Sequence, residues 1–236
     1  MKGPLLRQLI LSASLVSVLA ACATTGNPND PIEGFNRGMF SANEVLDKAV
    51  IKPLAKGYEA VVLQPVRNGV ANFYGNIGDV GIGVNDVLQG KLPDAINDFG
   101  RVMVNSSVGI LGFMDVASDL GVEKHEQDFG LTLAHWGIGS GAYIVLPVFG
   151  PRTVRDSFGL VLDLAADPVG HYGHVATRNV LVATRMIDER TALLPAEEVI
   201  DEAAIDNYSY IRDAYLQRRR YLMYDGKPPR LDDTAE

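Results

Sequence analysis

Between Val66 and Val87 the apolar residues fall at Val70, Phe73, Ile77, Val80, Val84 and Val87, in steps of four and three. That spacing is a helical period. The same span carries Gly69, Gly75, Gly78, Gly81 and Gly83, and each glycine costs about 1 kcal/mol relative to alanine inside a helix. Val80-Gly81-Ile82-Gly83-Val84, taken alone, alternates as a short strand would. The span predicts a helix, with a strand or a loosely wound loop as alternatives. Small residues at this density let helices approach closely, as membrane helix pairs do.

Most of the remaining chain carries the same period. Asp30, Pro31 and Glu33 read as a cap, a first helical position and a capping-box partner. Ile32, Phe35, Met39 and Phe40 then give an apolar face. Leu92–Asn105 reads as an amphipathic helix and Asp128–Trp136 as a short one, with a charged loop over 121–128 between them. Thr153 opens a further helix, with Asp156 three residues on as its capping-box partner, and Pro168 ends it. Later helices cover roughly Thr177–Arg190 and Asp201–Arg220. Tyr143–Leu146, stopped by Pro147, is the best extended segment. The fold class is therefore mainly α, with amphipathic helices and little or no sheet. An outer-membrane barrel needs many alternating segments of about ten residues, and these are absent. Beyond the N-terminus no segment reaches transmembrane length.

The N-terminus reads as an export signal. Lys2 and Arg7 precede the apolar run Leu9–Ala20, and Leu19-Ala20-Ala21-Cys22 has the form of a lipobox. Cys22 is the only cysteine among 236 residues, so it has no disulfide partner in the chain. The expectation is a signal peptide over 1–21, removed in the mature protein, and covalent lipid on Cys22, with no other cofactor. An ordinary signal with an incidental cysteine is the bland alternative. Ala23, rather than Asp, favours sorting to the outer membrane. Residues 22–29 read as a tether, 30–224 as one helical domain, and 225–236 as a disordered tail. The net charge of −8 becomes more negative once Lys2 and Arg7 are removed, which argues against a nucleic-acid partner.

Catalytic signatures are missing. His125-Glu126 lacks the second histidine of a zinc protease, and His171 and His174, flanked by Gly170 and Gly173, have no evident third ligand, so no metal is expected. Ser140 sits in Gly139-Ser140-Gly141 without the spacing of a nucleophile elbow. Gly137-x-Gly139-x-Gly141 follows a helix and precedes extended chain, the reverse of a phosphate loop. The chain is read as no enzyme.

Several ordered blocks carry a resemblance. They are Asn29-Asp30-Pro31-x-Glu33-x-x-Asn36-Arg37-x-x-Phe40, Arg101-Val102-x-Val104-Asn105 and Gly112-Phe113-x-Asp115-Val116-Ala117. Asp128-Phe129-Gly130-x-Thr132-Leu133 follows, then Trp136-Gly137-x-Gly139 and Tyr143-x-Val145-Leu146-Pro147-x-x-Gly150-Pro151-x-x-x-Arg155-Asp156. Tyr210-Ile211-Arg212-Asp213-Ala214-Tyr215 closes the set. In this order they resemble the MlaA (VacJ) lipoprotein family across roughly residues 29 to 220. Ala134 and Ala142 depart from it, standing where glycine and proline are expected.

The resemblance implies a ring-like helical domain embedded in the inner leaflet of the outer membrane, with an amphipathic channel. It implies removal of phospholipid from the outer leaflet and its passage inward to a soluble periplasmic carrier, beside a trimeric porin, which preserves lipid asymmetry. A structural lipoprotein that organises a porin or envelope complex is the alternative, and a lipid hydrolase a third. Phe35, Met39 and Phe40 become candidates for lipid contact, with ordinary core packing as the competing role. Arg37, Arg101 and Arg155 become candidates for a phosphate, against pairing with carboxylates such as Glu33 or Asp156. Gly137, Gly139, Gly150 and Pro151 are read as setting backbone geometry.

Overall fold

The computed structural model describes residues 27–230. The signal, Cys22 and the last six residues lie outside the described residues. The described residues are mainly helical, with one two-stranded antiparallel sheet. Helix α1 (Glu33–Leu46) runs through a π-helical turn (Asp47–Ile51) into α2 (Lys52–Val61). Then come α3 (Gln64–Leu88), α4 (Leu92–Ser107), the short α5 (Val116–Asp119) and α6 (Phe129–His135). Strands β1 (Tyr143–Leu146) and β2 (Gly150–Thr153) precede α7 (Val154–Ala166), α8 (Val175–Ala192), α9 (Leu194–Ala203) and α10 (Asn207–Met223).

Local chemistry sets these boundaries. A proline stands in the first turn of α2, α3, α4 and α9, where its missing N–H breaks no intrahelical bond. Pro53 is the exception in effect, because α1 and α2 are continuous. It has no N–H for the carbonyl four residues back, and the turn before it widens, so that Lys52 N donates to Asp47 O. Asp115, Asp128, Thr153 and His174 cap α5, α6, α7 and α8 through their side chains.

Three sequence readings change. Asp30 does not cap α1, which begins at Glu33 without a side-chain cap; Asp30 is instead fully buried and holds a distant helix. Asp156 does not turn back to complete a capping box. Its carboxylate accepts from Arg155, Arg219 and Tyr215, stronger donors than a strand N–H. The helix expected over 201–220 is two helices, broken between Ala203 and Asn207. The span of five glycines is one continuous helix, α3. A Cβ on Gly83 would lie 3.0 Å from the Phe99 ring, so this glycine lets α4 close on α3; Gly78 and Gly81 meet nothing within 4 Å.

The packing closes a circuit. α1 lies on β1, β1 pairs with β2, and β2 contacts α7 and α10. α7 packs on α6, α6 on α3, α3 on α8, and α8 on α2, which returns to α1. Two asparagines seven residues apart on α1 attach it to the free edge of β1. Asn36 donates to Tyr143 O at 3.0 Å and accepts from Val145 N at 2.9 Å, and Asn43 does the same for Leu146 O and Val148 N. Side-chain amides thus replace a third strand. α6 and α7 cross closely: a Cβ on Gly159 would sit 2.3 Å from Gly130 N.

Burial is inverted over much of this circuit. Among the described residues one compact apolar cluster is built from Tyr143, Val145 and Tyr208 with Met39, Phe40, Tyr215 and Leu216 around it. Elsewhere the buried side chains are largely polar or charged, and large apolar side chains face outward. On α3 the buried residues Asn76, Asp79, Gly83 and Asp86 recur at helical spacing, whereas Val80, Val84 and Val87 are exposed. On α4 the buried face is Ala95, Asp98, Arg101 and Asn105, and Ile96, Phe99 and Met103 are exposed.

Candidate functional site: a polar interior behind an apolar surface

Arg101 organises the interior of the α3–α4 hairpin. Its Nε meets Asp79 at 3.2 Å, and its Nη2 donates to both oxygens of Asp115 at 2.8 and 2.9 Å. Its Nη1 donates to Val122 O and Ser118 Oγ. Asn105, one turn along α4, also donates to Asp115 and accepts from Ala117 N. Burial pushes the Asp115 carboxyl up, but hydrogen bonds from Ser118, Asn105 and Arg101 outweigh it and hold the group down at about 2. Lys124 reaches the other oxygen of Asp79 at 2.6 Å. These groups border a cavity of about 160 Å³ that Asn72, Gly75 and Asn76 complete.

A second polar group joins α6, α7 and α10. Arg219 donates to Asp128 and, at 2.9 Å, to Asp156, which also receives Arg155 at 2.9 Å and the Tyr215 hydroxyl at 2.7 Å. Burial raises the Asp156 carboxyl, and Arg219, Tyr215 and Arg155 together bring it below its ordinary value. A third group joins the two ends of the chain. Buried Asp30 accepts from Asn36, the Tyr208 hydroxyl and Arg212. Beside it Arg37 bridges Glu33 at 2.7 Å and Asp206 at 2.6 Å, and lies 4.3 Å above the Tyr208 ring. Arg37, Phe40, Asp206 and Tyr208 line an open cleft of about 290 Å³.

The positions of the sequence candidates follow. Arg37, Arg101 and Arg155 are all ion-paired to carboxylates, so each meets a phosphate only by exchanging a partner. Met39 and Phe40 pack against the apolar cluster, and Phe35 is 39% exposed. Gly137 and Gly150 adopt left-handed φ of +87° and +71°, a conformation glycine takes without strain. Gly139 needs no such backbone, and Pro151 pairs with Val145 in the sheet. His171 Nδ1 faces Asp167 O and His174 Nδ1 faces Thr177, so both rings serve local turns. Arg212 and Arg219 went unread as site residues, because the partners they hold across the fold, Asp30 for one and Asp128 and Asp156 for the other, lie far away in sequence.

The family described as MlaA lipoprotein matches residues 28–222. The chain belongs to the MlaA lipoprotein family. It is similar to the intermembrane phospholipid transport system lipoprotein MlaA of Shigella flexneri, 34% identical over 219 residues that cover 89% of this chain and 86% of the relative. The protein of the same name from Escherichia coli (strain K12) is 33% identical over 224 residues, with the same coverage. The Haemophilus influenzae one is 32% identical over 230 residues, covering 92% and 91%. A solved chain from work on the structural basis for maintenance of bacterial outer membrane lipid asymmetry superposes with a TM-score of 0.71 at 32% identity. It covers 82% of this chain and 98% of its own. All three polar groups of the interior fall within the matched MlaA span.

Proposed function

We propose that this MlaA-family chain is an outer-membrane lipoprotein that takes phospholipid from the outer leaflet and passes it inward for return to the inner membrane. The observation that carries the reading is the inverted burial: charged side chains inside, and Val80, Val84, Ile96, Phe99 and Met103 outside. In water such an exterior is unfavourable, since burying each large apolar side chain is worth about 1.5–3 kcal/mol. In a bilayer it is at home. Among the described residues no helix is long and apolar enough to cross a membrane, which suits helices that lie with one face in lipid and one face turned inward.

A phospholipid moving through such a body keeps its tails against apolar groups, at ~0.8 kcal/mol per methylene shielded from water. Its headgroup, costly to drag through hydrocarbon, moves past polar groups. The names of the relatives, components of an intermembrane phospholipid transport system, support the reading. No covalent chemistry is needed, and the chain acts as a conduit. Acyl chains on Cys22 hold it in the inner leaflet, a trimeric porin stands beside it, and a soluble periplasmic carrier receives the lipid.

The test is complementation of a strain lacking the gene. Wild-type protein is expected to restore low outer-leaflet phospholipid, measured by labelling intact cells. Cys22→Ala protein is expected to be periplasmic and inactive. Outer-leaflet phospholipid unchanged by the deletion would overturn the conduit, and a disturbed porin complex with normal asymmetry would assign the structural role instead.

A further inference from the structure

Near the closed end of the α3–α4 hairpin three ligand-type side chains converge. Asp86 comes from the last turn of α3, Asp98 from α4, and His125 from the loop leading to α6. One possible ligand atom from each lies within 4.8 Å of the others. Asp86 and Asp98 are both 0% exposed. Asp98 has partners: its Oδ2 lies 2.9 Å from His125 Nδ1, and its Oδ1 accepts from His125 N at 3.4 Å. Asp86 has none, since neither oxygen meets a hydrogen-bond donor among the described residues.

Two carboxylates closed off from water, with one imidazole beside them, leave a negative charge uncompensated. The negative end of the α3 dipole adds to the same field. Only a proton or a cation relieves it.

We propose that Asp86, Asp98 and His125 form a binding site for a divalent transition-metal cation of the zinc class. Two carboxylate oxygens and one imidazole nitrogen suit zinc, which takes nitrogen and oxygen ligands in tetrahedral sites with room for a fourth. Calcium and magnesium prefer oxygen throughout. Asp94, whose Oδ1 lies 3.8 Å from His125 Nε2, stands on the far side of the ring, where a carboxylate fixes its orientation. Binding requires the neutral imidazole and both carboxylates ionised, so it releases protons. The ion would tie α3, α4 and the 121–128 loop together at one point.

The experiment uses the processed, lipidated protein in detergent, stripped with chelator and titrated with zinc chloride. One equivalent is expected to bind and raise Tm. Asp86→Asn and, separately, His125→Gln are each expected to weaken binding at least about tenfold. Failure of wild type to retain zinc, or equal binding by both variants, would overturn the site. So would a metal-independent rise in Tm on acidification through pH 7 that disappears in Asp86→Asn without any response to zinc, because a proton would then occupy the position.

Discussion

The α3–α4 hairpin and the knot formed by β1, β2, α1 and α10 solve opposite problems. The knot buries Tyr143, Val145 and Tyr208 against Met39, Phe40, Tyr215 and Leu216, as a water-soluble domain would. The hairpin buries Asp79, Asp98, Arg101 and Asn105 and turns Ile96, Phe99 and Met103 outward. The knot is held by apolar area removed from water, and the hairpin by matched charges. One chain therefore contains a part with an apolar interior and a part that turns its apolar side chains outward, the exterior that the proposed function assigns to lipid.

Breaking the hairpin takes the largest effect. Arg101→Ala leaves Asp79 and Asp115 without their guanidinium inside the hairpin, and is expected to cost about 3–5 kcal/mol. Urea unfolding should report the loss, and hydrogen exchange should place it within 64–107 rather than at β1. Val145→Ala tests the other side. It removes apolar volume from the knot and should cost about 2 kcal/mol in the same assay, leaving exchange in the hairpin near wild type.

Acid separates the regions further. Because the Asp115 carboxyl is held below its unfolded value, at about 2, its contribution is complete above pH ~4 and is lost as pH falls from there through about 2. The hairpin should loosen over that window, followed by exchange, and Arg101→Ala should flatten the dependence. The smallest stability effect is expected on the outer face. Ile96→Ser with Met103→Ser, made in the non-lipidated Cys22→Ala chain in water, should change stability by no more than about 0.5 kcal/mol. Association of that chain with phospholipid vesicles should nonetheless weaken, which a purely structural exterior would not show.

The helical period was legible, and its direction was not. Val80, Val84 and Val87 recur at the same spacing whether water or lipid lies outside. The direction is read from the second stripe, Asn76, Asp79 and Asp86, which the structure buries while the valines stay exposed. The Arg37–Glu33 pair was readable because residues four apart share a helix face, whereas adjacent Arg155 and Asp156 meet at 2.9 Å without that help. Arg219 with Asp128, 91 residues apart, left no local trace. β2 was hidden by Gly150 and Pro151, residues that weaken a strand reading and are tolerated here beside a single partner strand. The MlaA blocks conveyed the order of the elements, which periodicity alone does not.

The Asp30 junction also bears on timing. Asp30 finds the Tyr208 hydroxyl 178 residues later in the chain, and Arg212 beyond it. A chain made from its N-terminus leaves this junction open until α10 has emerged. The entropic cost of closing so long a loop grows only slowly with its length, and the contact comes late because its partner is made late. The first helix, already held at β1 by Asn36 and Asn43, thus receives its final fastening at Asp30 only when α10 arrives.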